Sequence, residues 1–216
     1  MTTLKKAPMP IKTVIFDFGN VVAFFDHSRA VARLAQYTDL PPVELALKLY
    51  GSPIEDAYER GAIDTEMYVR QATRNAHLSC TTEQFLAAFV AIFWRNLEVC
   101  ELIPRLQSNY RIILASNTTR AHFEEYSKQF ADVLRYFDHL GTSFDAGARK
   151  PEREFFAHVQ RHAQAEPGEC VFIDDLPTNV EAAEEFGWKG VVYRADGTLA
   201  DKLRAAGVVV GTTEKD

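Results

Sequence analysis

Three apolar runs in this chain each stop at polar residues: Ile15-Phe16 at Asp17, Leu114-Ala115 at Ser116-Asn117, and Phe172-Ile173 at Asp174-Asp175. Short runs of this kind, rich in β-branched and aromatic side chains, suit strands buried on both faces of a parallel sheet. In an open parallel sheet ligands bind outside the carboxyl ends of the strands, near the point where strand order reverses. The three runs therefore deliver their polar groups to one edge, and that edge is where function is expected.

The rest of the chain agrees with a sheet of this type. Strand patterns cover 13–18, 111–115, 140–142, 171–173 and 191–193, with helical stretches near 119–130, 152–164 and 180–186. Such alternation implies an α/β fold, a parallel sheet covered by helices on both faces. Between the first strand and the others, from about Ser28 to Leu106, the pattern is almost wholly helical, punctuated at Pro41-Pro42, Gly51-Ser52-Pro53, Gly61 and Thr81-Thr82. We therefore expect a core formed by residues 11–26 and 100–210, an inserted helical domain at 27–99, and tails at 1–10 and 211–216.

Composition excludes several classes of function. At 216 residues the chain can bury a sizeable core without disulfides, and its three cysteines, Cys80, Cys100 and Cys170, show no CxxC spacing. They read as reduced thiols of a cytoplasmic protein. No apolar run approaches the ~20 residues that span a bilayer, and the amino terminus lacks a signal-peptide core. A net charge of -6, with no basic cluster interleaved with aromatics, argues against nucleic acid. An acidic chain can still bind a small anion if a cation reverses the field locally. Collecting Asp17, Asp174 and Asp175 at one edge requires such a cation, because crowded carboxylates resist ionisation. Oxygen donors without nearby Cys or His favour a hard divalent ion, magnesium above all.

Asp17-Phe18-Gly19-Asn20-Val21, Ser116-Asn117-Thr118, Lys150-Pro151, and Asp174-Asp175 followed by Asn179 resemble, in order, the four motifs of the haloacid dehalogenase superfamily. The resemblance extends over nearly the whole chain and is nearest to the branch with a helical cap after the first motif. That branch includes bacterial sugar-1-phosphate phosphatases and the phosphatase domain of soluble epoxide hydrolases. Glu59-Arg60-Gly61-Ala62-Ile63 resembles one of its cap loops. The resemblance implies a Rossmann-like core with an α-helical cap, and a phosphatase acting on a small phosphate monoester, with sugar phosphates among the candidates.

By the same resemblance Asp17 is the nucleophile, forming an aspartyl-phosphate that water hydrolyses. Mg²⁺ is held by Asp17, the Gly19 carbonyl and Asp175, with Asp174 and Asn179 orienting the shell. Ser116, Asn117 and Lys150, with Gly19 and Asn20, bind the phosphoryl group, Ser116 and Asn117 at a helix amino terminus that favours anions. Lys150 belongs to the pattern Ser143, Gly147, Lys150, Pro151, and Pro151 suits the first turn of the next helix.

One position departs from the superfamily pattern: two residues after the nucleophile, where most members carry an acid that moves protons, stands Gly19. Asp26 is the nearest substitute, though it equally suits the N-cap of the following helix. Among the border aromatics Phe24, Phe25, Tyr58, Phe93 and Trp94, Phe25 and Tyr58 are candidates for substrate contact. His158 and His162, four apart on a helix, read as solvated rather than metal-binding. Two rival readings are a metal-independent 2-haloacid dehalogenase, disfavoured by the Asp174-Asp175 pair, and a non-catalytic phosphate-binding module. A phosphomutase is disfavoured by the missing acid.

Overall fold

The computed structural model describes residues 9–211, so the expected tails lie largely outside it. Seven strands occur among the described residues: β1 (Thr13–Phe16), β2 (Ala23–Phe25), β3 (Phe93–Arg95), β4 (Arg111–Ser116), β5 (His139–Thr142), β6 (Cys170–Asp174) and β7 (Lys189–Val192). The helices are α1 (Ser28–Leu34), α2 (Pro42–Leu49), α3 (Pro53–Glu59), α4 (Thr65–Asn75), α5 (Thr82–Val90), α6 (Leu97–Leu106), α7 (Arg120–Gln129), α8 (Ala131–Leu134), α9 (Ser143–Ala146), α10 (Arg153–Ala163), α11 (Pro177–Phe186) and α12 (Leu199–Ala205).

Five strands form one parallel sheet in the order β5-β4-β1-β6-β7. The chain begins at the centre, builds outward through β4 and β5, then returns to the other side of β1 for β6 and β7. Strand order thus reverses at β1 and β6, where a crevice is left open. Side-chain alternation divides the core in two. Val14, Phe16, Ile112, Leu114, Val171 and Ile173 pack on one face, while Ile15, Ile113, Ala115, Cys170 and Phe172 pack on the other. Both faces are buried under helices, which is why these strands are apolar throughout.

Helices α1 to α5 form their own apolar cluster, in which Leu34, Leu45, Leu49, Tyr58, Tyr68, Phe85 and Phe89 are fully or almost fully buried. One correction concerns its borders. The stretch from Ser28 to Leu106 is not helical throughout: β3 pairs antiparallel with β2, Phe24 opposite Trp94 and Phe25 opposite Phe93. Strands of three residues are too short to show a period in sequence, and this pair exists only because entry to and exit from the helical block meet. Sequence reading also passes over the short helices α8, α9 and α12. No helix among the described residues is long and apolar enough to cross a membrane.

Candidate active site

Strand register explains how the acids meet. Phe16 is level with Ile173 on one side and Leu114 on the other, so Asp17 and Asp174 leave adjacent strands side by side while β4 delivers Ser116. Asp17, Asp174 and Asp175 each offer an oxygen within 4.8 Å of the others. The buried Lys150 ammonium lies 2.6 Å from Asp17 and 2.7 Å from Asp174.

The two acids of the pair differ. Asp174 is fully buried and accepts hydrogen bonds from Lys150, the Asn179 amide and the Leu176 N–H. Its oxygens are thus used inside the protein. Asp175 is half-buried and accepts one side-chain bond, from Asn20 at 3.1 Å. Asn20 adopts a left-handed φ of 55°, a conformation that Asn tolerates better than most residues and that turns its amide toward Asp175.

Burial pushes the Asp17 carboxyl up, and the neighbouring Asp174 and Asp175 charges add to this while Lys150 opposes it. Asp175 is likewise raised by burial. For Lys150, burial disfavours the ammonium, but Asp17 and Asp174 more than offset it, so its net shift is upward. With three carboxylates against one buried ammonium, the cluster lacks positive charge, and its oxygen donor set fits a hard divalent cation.

The phosphate-side residues are arranged differently from the expectation. Asn117 does not offer its side chain to a ligand: its Nδ2 donates to the Lys150 carbonyl at 3.0 Å, and its Oδ1 accepts the Lys150 N–H at 2.8 Å. This two-bond clasp fixes the Lys150 backbone. The amino terminus of α7 is partly occupied from within the protein. Tyr58, from the helical block, accepts the Ala121 N–H; Thr119 accepts that of His122; and Ser143 accepts that of Thr118. The helix cap is Thr119, three residues beyond Ser116. Ser116 itself has only a 3.5 Å contact to the Asn117 carbonyl, which leaves its hydroxyl available.

Two further expectations need correction. Pro151 precedes the N-cap of α10, Glu152, so it lies outside that helix rather than in its first turn. Asp26 precedes the N-cap His27, and its carboxylate accepts the Ser28 N–H at 2.8 Å and the Ser28 hydroxyl at 2.7 Å. Those bonds hold its pKa below the ordinary value, which makes it a poor proton donor.

Next to the acids opens a small pocket, of about 90 Å³, roofed by the helical block. Gly19, Ser116 and Asn117 form its floor; Phe25, Phe93, His27 and His122 form its walls; Glu55 and Glu59 reach in from α3. Sequence reading singled out Phe25 here but missed Glu55, His27 and His122. A pair of acids four apart on the helix before Gly61 was the available signal. Tyr58 is buried beneath the pocket wall, stacked on Tyr68. Phe24 and Trp94 pack against each other on the outer side of the strand pair, where Trp94 is exposed.

Ion pairs close the seam around this pocket. Arg60 makes a two-pronged contact with Glu152 at 2.6 and 2.7 Å, and Arg149 reaches Asp56 at 3.1 Å and Glu59 at 2.9 Å. Gly61 lets the two units touch: a Cβ there would stand 2.4 Å from the Phe144 carbonyl oxygen.

His158 and His162 join His139 of β5, with ring nitrogens within 4.8 Å of one another. The His139 and His162 rings are stacked 3.6 Å apart and 11° from parallel, and Arg161 holds His158 Nδ1 at 2.8 Å. An ion in the plane of one stacked ring lies out of the plane of the other, so these rings must turn before sharing a metal.

A model of the haloacid dehalogenase-like hydrolases matches residues 11–187. The chain belongs to this family. It is 45% identical over 210 residues to a flavin mononucleotide hydrolase of Arabidopsis thaliana, a match covering 88% of this chain and 78% of that protein. It is 26% identical to a D-ribitol-5-phosphate phosphatase of Bacteroides thetaiotaomicron, over 83% of this chain and 90% of that one. In fold it resembles a haloacid dehalogenase family enzyme of the same bacterium, solved with magnesium and inorganic phosphate. The TM-score is 0.76 at 23% identity, with 86% of this chain and 96% of that one covered. The protein is a hydrolase with phosphatase relatives.

Proposed function

We propose that this hydrolase cleaves a small phosphate monoester, with Mg²⁺ as its cation and Asp17 as its nucleophile. The observation that carries the reading is the cluster of Asp17, Asp174 and Asp175 around Lys150 at the reversal point of the sheet. Asp17, the Gly19 carbonyl and Asp175 hold the ion, which when bound supplies positive charge to the nucleophile and the phosphoryl oxygens. Asp174 and Asn179 serve a positioning role, since Asp174 is already saturated by bonds within the protein.

Asp17 attacks phosphorus in line, and the ester oxygen leaves into the pocket beneath α3. Lys150 faces the nucleophile and neutralises charge there, while the Ser116 hydroxyl donates to a phosphoryl oxygen. Water then attacks phosphorus and returns Asp17 to its carboxylate. Residues 27–99 act as a cap domain over a core of 11–26 and 100–210. The substrates of the relatives are a polyol phosphate and a flavin nucleotide, both with uncharged, hydroxyl-bearing leaving groups. A pocket lined by two acids and by no Lys or Arg suits such groups.

The test is a panel of phosphate monoesters that includes D-ribitol 5-phosphate and flavin mononucleotide, assayed with magnesium and with EDTA. Turnover of at least one member with magnesium, lost in EDTA, supports the reading. Activity toward haloacids that persists in EDTA overturns it.

A further inference from the structure

The proposed reaction has a missing proton donor. Gly19 carries no acid, and Asp26 is tied to Ser28. An acid at Gly19 would also require the Phe25 ring to move: a Cβ there would lie 2.8 Å from Cε1 of Phe25, whose ring lines the pocket. The groups that could hold a proton near the leaving oxygen are therefore those of the other pocket walls.

Their surroundings separate them. Burial pushes His27 down to about 4 and His122 down to about 3, so both are neutral near pH 7. His122 also spends its Nε2–H on the Phe89 carbonyl. Burial pushes the Tyr126 phenol far up, too weak an acid to protonate an alkoxide early. Burial pushes the Glu59 carboxyl up as well, but Arg149 lies 2.9 Å away and its charge opposes that rise. Only Glu55 is left. Its Oε2 accepts the Gly51 N–H at 2.5 Å, and its Oε1 has no hydrogen-bond partner among the described residues. Burial, with the Glu59 charge one helical turn away, pushes its carboxyl up to about 7.

We propose that Glu55, supplied by the helical cap across the pocket from Gly19, is the general acid and base of the reaction. The proposal rests on the phosphatase reading above. In the first step an Asp17 oxygen bonds to phosphorus, and the bond from phosphorus to the ester oxygen breaks with its electron pair going to that oxygen. The Glu55 proton goes to the same oxygen and the alcohol departs. In the second step water bonds to phosphorus, the bond to Asp17 breaks with its pair returning to the carboxylate, and the water proton goes to Glu55. Ester and water become alcohol and phosphate, and Glu55 ends as it began.

The experiment compares wild type, Glu55→Gln and Glu59→Gln on 4-nitrophenyl, phenyl and benzyl phosphate with saturating magnesium. These share an aromatic ring and rise in leaving-group basicity in that order. Gln keeps the acceptor for the Gly51 N–H, so the loop is expected to hold. General acid help is worth about 10² to 10⁴ in rate, and it matters most for the most basic leaving group. Glu55→Gln should cut kcat/KM for benzyl phosphate at least a hundredfold and leave 4-nitrophenyl phosphate within about threefold, whereas Glu59→Gln should show no such gradient. The acid form is the active one, so for benzyl phosphate wild-type kcat/KM should fall as pH rises through about 7. That limb should vanish in Glu55→Gln. The charged and titratable groups around Glu55 are Glu59, Asp56, Arg149, Tyr50 and Tyr68. Of these only Glu59 is also raised among the carboxylates, and its own variant isolates it. Equal losses on all three esters, or none on benzyl phosphate, would overturn the assignment while leaving the phosphatase reading intact.

Discussion

Replacing Asp17, the proposed nucleophile, should make the metal-free protein more stable as well as inactive. In Asp17→Asn the amide cannot form an acyl-phosphate, so turnover should be lost. The stability effect follows from the Asp17 side chain, 11% exposed, whose carboxyl moves from 3.8 to about 7 on folding. A group with a raised folded pKa favours folding of its protonated form. Its ionised form therefore costs stability, beginning near pH 4 and reaching a plateau above about pH 7. The shift, 7 − 3.8 = 3.2, multiplied by 1.36 kcal/mol sets a ceiling of about 4 kcal/mol. The crevice is open to solvent and its side chains can relax, so about 2 kcal/mol is the working expectation. In a chain of 216 residues that corresponds to roughly 4 to 8 °C in Tm. Thermal unfolding in EDTA should thus show the variant ahead of wild type at pH 8, with the gap closing toward pH 4.5. Magnesium, bound better by the wild type, should shrink or invert the gap. A variant equal to or less stable than wild type in EDTA at pH 8 would refute the claim that the acids are crowded without their cation.

Three further outcomes are expected. Asp175→Asn should raise the magnesium concentration needed for half-maximal activity several-fold, read from a metal titration at fixed substrate; an unchanged titration would remove Asp175 from the ligand set. Asn117→Ala deprives the Lys150 N–H and carbonyl of their partners, which should cost about 1 to 3 kcal/mol in denaturant unfolding. It should also lower kcat more than it raises KM, and a variant altered only in KM would contradict the clasp. Arg60→Ala removes the two-pronged bond to Glu152 across the seam and should raise KM while making activity less sensitive to NaCl than in wild type. Identical salt dependence of the two proteins would show that the seam does not govern substrate access.

The sheet and its acids could be read from sequence because β-strand chemistry is local. Apolar runs such as Val171 to Ile173 announce strands, and the polar residues after each run are fixed to the strand end by connectivity alone. Asp17, Asp174 and Asp175 needed only adjacency of β1 and β6 to meet. The clasp of Asn117 on Lys150 depends on a bond spanning 33 residues, which no spacing rule contains. The same holds for Tyr58 capping Ala121, a contact between helical block and core. Proximity of α7 to the phosphate motif suggested free amides there, but a side chain from another unit had already taken one. Glu55 was hidden for a related reason. Its place opposite Gly19 is set by how α3 lies over the sheet, and nothing in Pro53–Glu59 records that.

A proton donor on the helical block ties chemistry to closure in a way that an acid beside the nucleophile cannot. With the acid next to Asp17, a substrate bound to an open core would still find its donor. With Glu55 on α3, the donor arrives only when the block is seated, and the seat is made by Arg60 with Glu152 and by Arg149 with Asp56 and Glu59. Arg149 also adjoins Lys150, so the residue that binds the block is covalently next to the one that faces the nucleophile. The same seating brings Phe93 and His27 of the block against Phe25 and His122 of the core around the pocket. A substrate too large to let α3 settle would keep its phosphoryl contacts yet lack its proton donor. Selection by size would then act on kcat for esters with basic leaving groups and scarcely on those with acidic ones. Gly19 and Phe25 belong to this arrangement as a pair, because the ring that occupies the vacated space is also a wall of the pocket the block closes.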